Sequence, residues 1–156
     1  MPLSKITAIA SAIVVATLAA AAIAQSPPVV VDPAIATMTN EQLVTARQEA
    51  MREDGKILRE AGGLLGDDAI AAATHLLQNF TNFPALFREG SVTDKTAARP
   101  EIWQNWEAFT AIFAKGQQAA TQMLQAAEAE DDDLYQSSVK ELGGLCSTCH
   151  QQFRGR

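Results

Sequence analysis

The chain has 156 residues, with 12 Lys and Arg against 18 Asp and Glu, and only two cysteines. The length suits one domain with a substantial core. A net charge of −6 without a basic cluster excludes a nucleic-acid binder and suits an acidic, solvated surface. The first 24 residues read as a secretory signal peptide: Lys5 precedes an alanine-rich apolar run, and Ala22-Ile23-Ala24 forms a small-x-small cleavage pattern before Gln25. The alternative is an uncleaved anchor, because the run is close to spanning length. Residues 25–38 hold three prolines and read as a linker or extended tail.

A helix is expected over 40–61. Thr39 with Gln42 has capping-box spacing, Leu43, Val44, Arg47, Ala50, Met51, Asp54 and Leu58 recur at helical period, and Gly62-Gly63 stops it. A second helix is expected over 68–82. Asp67 or Asp68 would cap it, Ile70, Ala73, Leu76, Leu77 and Phe80 form its stripe, and Pro84 would end it. A long loop follows over 84–98. Pro100 then opens a third helix to about 129, with Ile102, Trp106, Phe109, Phe113, Ala120 and Leu124 in register. The acids at 130–133 introduce a fourth helix over 132–154, with Leu134, Val139, Leu142 and Leu145 facing inward. Nothing alternates at strand period. The pattern predicts an all-α antiparallel four-helix bundle over 39–156.

Both cysteines fall in the last turns of the fourth helix, as Cys146-Ser-Thr-Cys149-His150. Positions i, i+3 and i+4 share a helix face. C-x-x-C-H is the attachment pattern of c-type haem. Two thiols at this spacing add to the two vinyl groups of one porphyrin, and the next imidazole becomes an iron ligand. One covalent haem c is therefore expected, held by Cys146 and Cys149, with His150 on the iron. A disulfide across this spacing would close too small a loop to stabilise much. A thioredoxin-like centre belongs in a strand–helix setting, and structural zinc needs four ligands, which a distant His75 would supply only by chance.

The residues after the motif, Gln-Gln-Phe153-Arg154, extend it to CxxCHxx-aromatic-Arg. With "NFPALFREGS" and "ARPEIWQNWEAF", this resembles the class II cytochromes c, the cytochrome c′ group, over about 39–156. The resemblance implies one haem within the bundle, His150 as its proximal ligand and Arg154 close to that histidine. It also implies roles on the first helix, where the family carries Arg-x-x-x-apolar. Arg47 would approach a haem propionate, and Met51 would sit over the other face of the iron. Members called cytochromes c′ have a non-ligating residue there and five-coordinate iron. Other members carry a ligating methionine and low-spin iron, and Met51 points to that subgroup. Gly55, further along the helix, would leave room for the macrocycle.

The leading expectation is therefore a periplasmic monohaem one-electron carrier with His150 and Met51 on the iron. It would perform no substrate chemistry, would exchange electrons with redox partner proteins, and would not stay in the membrane once the signal is cleaved. Pairing into a homodimer accords with family members that pair through their first two helices. The alternative is a five-coordinate protein that binds nitric oxide or carbon monoxide at an open distal site. A third class is a haem-free CxxC redox enzyme.

Overall fold

The computed structural model describes residues 28–155. The expected signal peptide, its anchor alternative and the start of the tail lie outside these residues. Helix α1 spans Asn40–Ala61 and begins with the expected capping box between Thr39 and Gln42. Each of the two side chains accepts from the other residue's backbone N–H, which satisfies two donors the first turn leaves unpaired. Its buried stripe holds Leu43, Val44, Arg47 and Asp54.

Helix α2, Gly66–Leu86, is longer than expected at both ends. Leu65 is its N-cap and makes no side-chain cap, so Asp67 and Asp68 lie in the first turn, where their charges favour the helix dipole. Pro84 does not end the helix. A proline inside a helix strips the carbonyl four residues earlier of its N–H partner. That carbonyl belongs to Phe80, and Gln117 Nε2 from a neighbouring helix donates to it at 3.3 Å.

The expected third helix is two. Helix α3, Glu101–Gln104, breaks at Asn105 (φ −125°, ψ 46°), and α4 runs from Trp106 to Glu128. Helix α5, Asp132–Phe153, is capped by the Asp131 carboxylate, which accepts from the Leu134 N–H. Its buried face is rotated from expectation: Tyr135, Ser138 and Leu142 point inward, whereas Leu134 is 39% exposed. The tail is not wholly extended either. Residues Pro33–Thr37 form a 3-10 turn capped by Asp32, and Ile35 is buried.

The four long helices form a bundle, and no strand forms among the described residues beyond a single bridge between Ala98 and Arg154. Helix α4 packs most extensively, on α2 and α5, while α1 meets α5 along a sparser seam. Where α2 meets α4, a Cβ at Gly116 would lie 2.0 Å from Phe80 Cδ1, so this approach requires glycine. Around Phe80, the rings of Phe83, Phe87, Phe109 and Phe113 form a linked aromatic cluster. This core occupies the middle of the bundle and leaves a cavity along the α1–α5 seam.

Candidate haem site

The cavity has a volume of about 400 Å³. Arg47 and Met51 of α1 line one side, and Cys149, His150, Phe153 and Arg154 line the α5 side. Phe87, Ile102 and Phe109 form apolar wall between them. A second, smaller cavity continues from it and shares Met51, Cys149 and His150. Cys146, Leu145 and Asp54 line that inner part, with Phe80, Phe83, Ile112 and Phe113. Five sequence-predicted residues, Arg47, Met51, Cys149, His150 and Arg154, therefore share the outer cavity. Cys146 joins them at its inner end. Met123 is buried in the core, and neither it nor Met38 reaches either cavity.

The helical period places Cys146, Cys149 and His150 on one face of α5, as their spacing required. Both cysteines are free thiols. Burial pushes Cys149 up to about 11, helped by the nearby Cys146, and burial followed by the Asp54 charge also raises Cys146. A CxxC redox enzyme needs a lowered thiol pKa, so these thiols do not suit thiol–disulfide exchange. His150 is shifted down, first by burial and then by the Arg154 charge. Both causes favour the neutral imidazole, the form that binds a metal. Arg154 is exposed, its backbone N–H donates to the His150 carbonyl one turn earlier, and its charge acts on the imidazole. An apolar cavity bearing two adjacent thiols and a neutral imidazole on one wall fits a covalent porphyrin. No cluster of three or more His, Cys, Asp or Glu that would hold a bare metal ion occurs among the described residues.

Arg47 is 2% exposed, and the protein itself surrounds its guanidinium with oxygens. Nη1 donates to the Leu86 carbonyl at 3.0 Å and Ser91 Oγ at 2.8 Å. Nη2 donates to the Ser91 carbonyl at 2.8 Å and Thr96 Oγ1 at 2.9 Å. The guanidinium carbon lies 4.3 Å from the centre of the Phe87 ring, a cation–π contact. The charge rests on neutral oxygens and an aromatic face, and burial lowers its pKa to about 10. Arg47 thus ties the 86–96 segment to α1. Trp103 closes the same corner by donating from Nε1 to the Phe87 carbonyl at 2.9 Å.

Gly55 does not border the site. A Cβ there would meet only Arg59, and Gly55 lines neither cavity. The α1 residue that reaches the inner cavity is Asp54, three positions after Met51 and seven after Arg47. The sequence placed it on the buried stripe but carried no role for it. An acid on such a stripe was the available clue. His75 is a partly exposed α2 residue outside both cavities, as expected, and contacts Glu53 at 3.3 Å.

The family model described as Cytochrome C' matches residues 42–154. A cytochrome c′ of Rhodospirillum rubrum is 32% identical over 127 residues, covering 79% of this chain and 84% of that protein. A cytochrome c-556 of Agrobacterium tumefaciens (strain B2A) is 32% identical over 120 residues, 68% of this chain and 96% of that protein. The crystal structure of cytochrome c′ from Thermochromatium tepidum superposes with a TM-score of 0.70 at 23% identity, over 76% of this chain and 99% of that one. These findings correct the leading expectation. The family model, the Rhodospirillum relative and the Thermochromatium fold are all cytochromes c′, the group whose resemblance implies five-coordinate iron, and a low-spin subgroup with Met51 on the iron has no support. The one-electron carrier built on His150 and Met51 ligation falls with it. Bundle, motif, cavity and relatives agree: this chain belongs to the cytochrome c′ family and carries one covalently attached haem c.

Proposed function

We propose that this protein binds nitric oxide or carbon monoxide at an open haem iron position, with His150 as the iron's one protein ligand. Cys146 and Cys149 carry the thioether bonds, and Arg154 borders the proximal side. Met51 is a packing residue of the opposite wall, where its flexible thioether fills irregular space. The observation that carries this reading is the cavity of about 400 Å³ between His150 on α5 and Met51 on α1, in a chain of the cytochrome c′ family. Its wall of Phe87, Ile102 and Phe109 suits a small neutral ligand better than a charged one. Haem supplies the binding of the gas, and the chain supplies a dry, fixed pocket. Binding is reversible and converts no substrate.

Absorption spectra test this directly. The purified holoprotein is expected to be high-spin, to take up carbon monoxide readily when ferrous, and to do the same after Met51→Leu. Low-spin iron with a near-infrared sulfur-to-iron band and slow carbon monoxide uptake would overturn it. Haem is expected to stay with the polypeptide in acid acetone and to be lost or poorly attached in Cys149→Ala. The proposal places the protein in the periplasm, supported by the apolar run ending at Ala24 and by an attachment chemistry that suits an exported chain. Among the described residues no helix is long and apolar enough to cross a membrane. Pairing of two copies is also proposed: one solved neighbour is a cytochrome c′ with an unusual ligand-controlled dimer dissociation. Sedimentation with and without carbon monoxide tests that pairing.

A further inference from the structure

Two buried side-chain polar atoms among the described residues lack a hydrogen-bond partner, Asp54 Oδ2 and Tyr135 OH. Only the first belongs to a residue of the haem cavity. A buried polar atom without a partner costs about 1–3 kcal/mol, so its place in a functional cavity calls for an explanation. Asp54 is 4% exposed and lines the inner cavity with Met51, Cys146, Cys149 and His150. Asn79 Nδ2 of α2 donates to its Oδ1 at 2.6 Å. Oδ1 is therefore the accepting oxygen. In the neutral acid the proton sits on the other oxygen, Oδ2.

We propose that Asp54 is the hydrogen-bonding residue on the ligand side of the haem cavity, its Oδ2 hydroxyl donating to a small iron-bound ligand opposite His150. This rests on the gas-binding reading above. Helix α1 faces α5 across the cavity, so Asp54 and Met51 stand on the wall opposite the proximal histidine. The charged and titratable groups around Asp54 are few. Glu53 adjoins it on α1, and His75 of α2 lies 3.9 Å from Oδ1. Cys146 and His150 of α5 share its cavity, and α4 contributes only the apolar Ile112 and Phe113. Glu53 repels the ionised form, and no lysine or arginine pairs with Asp54 among the described residues. Burial raises its pKa to about 7, with Asn79 opposing the shift and Glu53 adding to it. The donating acid is thus well populated near neutral pH. Asn79 Nδ2 also lies 3.0 Å from His75 Nε2, which joins the carboxyl to a half-exposed side chain.

The test is the C–O stretching frequency of the ferrous carbon monoxide complex in wild type, Asp54→Asn and Asp54→Leu, in water and deuterium oxide. A donor to the bound oxygen lowers that frequency. The expected result is a higher frequency and about tenfold faster carbon monoxide release in Asp54→Leu, the size of one hydrogen bond. Asp54→Asn keeps a donor and should fall between. A deuterium shift is expected in wild type and not in Asp54→Leu. Equal frequencies and release rates in all three would overturn the role of Asp54 and leave gas binding standing. Failure of the wild-type ferrous protein to bind carbon monoxide would overturn both. Should Asp54→Leu fail to load haem, Asp54→Asn against wild type decides the matter on the same scale.

Discussion

Arg47 and Asp54 are two turns apart on one stripe of α1, both almost fully buried, yet they are treated in opposite ways. Arg47 has all four Nη hydrogens committed to oxygens of the 86–96 segment and an aromatic ring over its face. Asp54, a residue of the inner cavity, has one oxygen held and the other buried without a partner. A buried charge whose terminal donors are all satisfied organises structure. A buried acid left half satisfied costs stability, and such groups persist where function uses them.

The largest expected effect breaks the Arg47 end. Arg47→Leu strands the Leu86 and Ser91 carbonyls and the Ser91 and Thr96 hydroxyls, and should destabilise the holoprotein by about 3–5 kcal/mol. Urea unfolding followed by the haem band measures it. A loss under about 1 kcal/mol would mean that those oxygens find other partners. Next comes the wall of the Asp54 end. Gly116→Ala puts a methyl group into the Phe80 ring, and overpacking of this kind costs about 1–3 kcal/mol. Phe80 lines the inner cavity, so carbon monoxide release should change as well, while the Arg47 corner stays intact. An unchanged melting temperature would show that the ring moves aside freely.

Asp54→Asn should run the other way. The folded pKa of Asp54, about 7, lies above its ordinary value of 3.8, mainly because burial penalises the charge. The native state therefore binds this proton more tightly than the unfolded chain. The stability linked to it is fully present below about pH 4 and is lost as pH rises through about 7. Asp54→Asn lacks that loss. It should match wild type near pH 4 and be the more stable of the two at pH 8. Subtracting the two pH profiles isolates the contribution of Asp54. A difference independent of pH would show that Asp54 does not titrate in this window. The smallest effect belongs to Arg52→Leu, one position after Met51. Its side chain is exposed and makes none of the buried contacts of Arg47, so it should stay within about 0.5 kcal/mol of wild type.

The sequence by itself determined whatever depends on near neighbours along the chain. The Thr39–Gln42 cap, the limits of α1 and the shared face of Cys146, Cys149 and His150 follow from a period of 3.6 residues and from groups at most four positions apart. The bundle was legible too, because four apolar stripes leave few ways to be buried together. Distant contacts decided the rest. Pro84 stays helical because Gln117 supplies a donor to the Phe80 carbonyl. Arg47 meets the oxygens of a loop because residues about 40 positions later fold over it. Leu134 turns outward and Tyr135 inward because the rotation of α5 is set by α4, not by its own stripe. Asp54 rather than Gly55 borders the inner cavity because its position carries it to the α5 side, and only the packed bundle leaves its Oδ2 without a partner. Hydrogen-bond satisfaction is a property of the whole tertiary neighbourhood, and no window of sequence contains both partners.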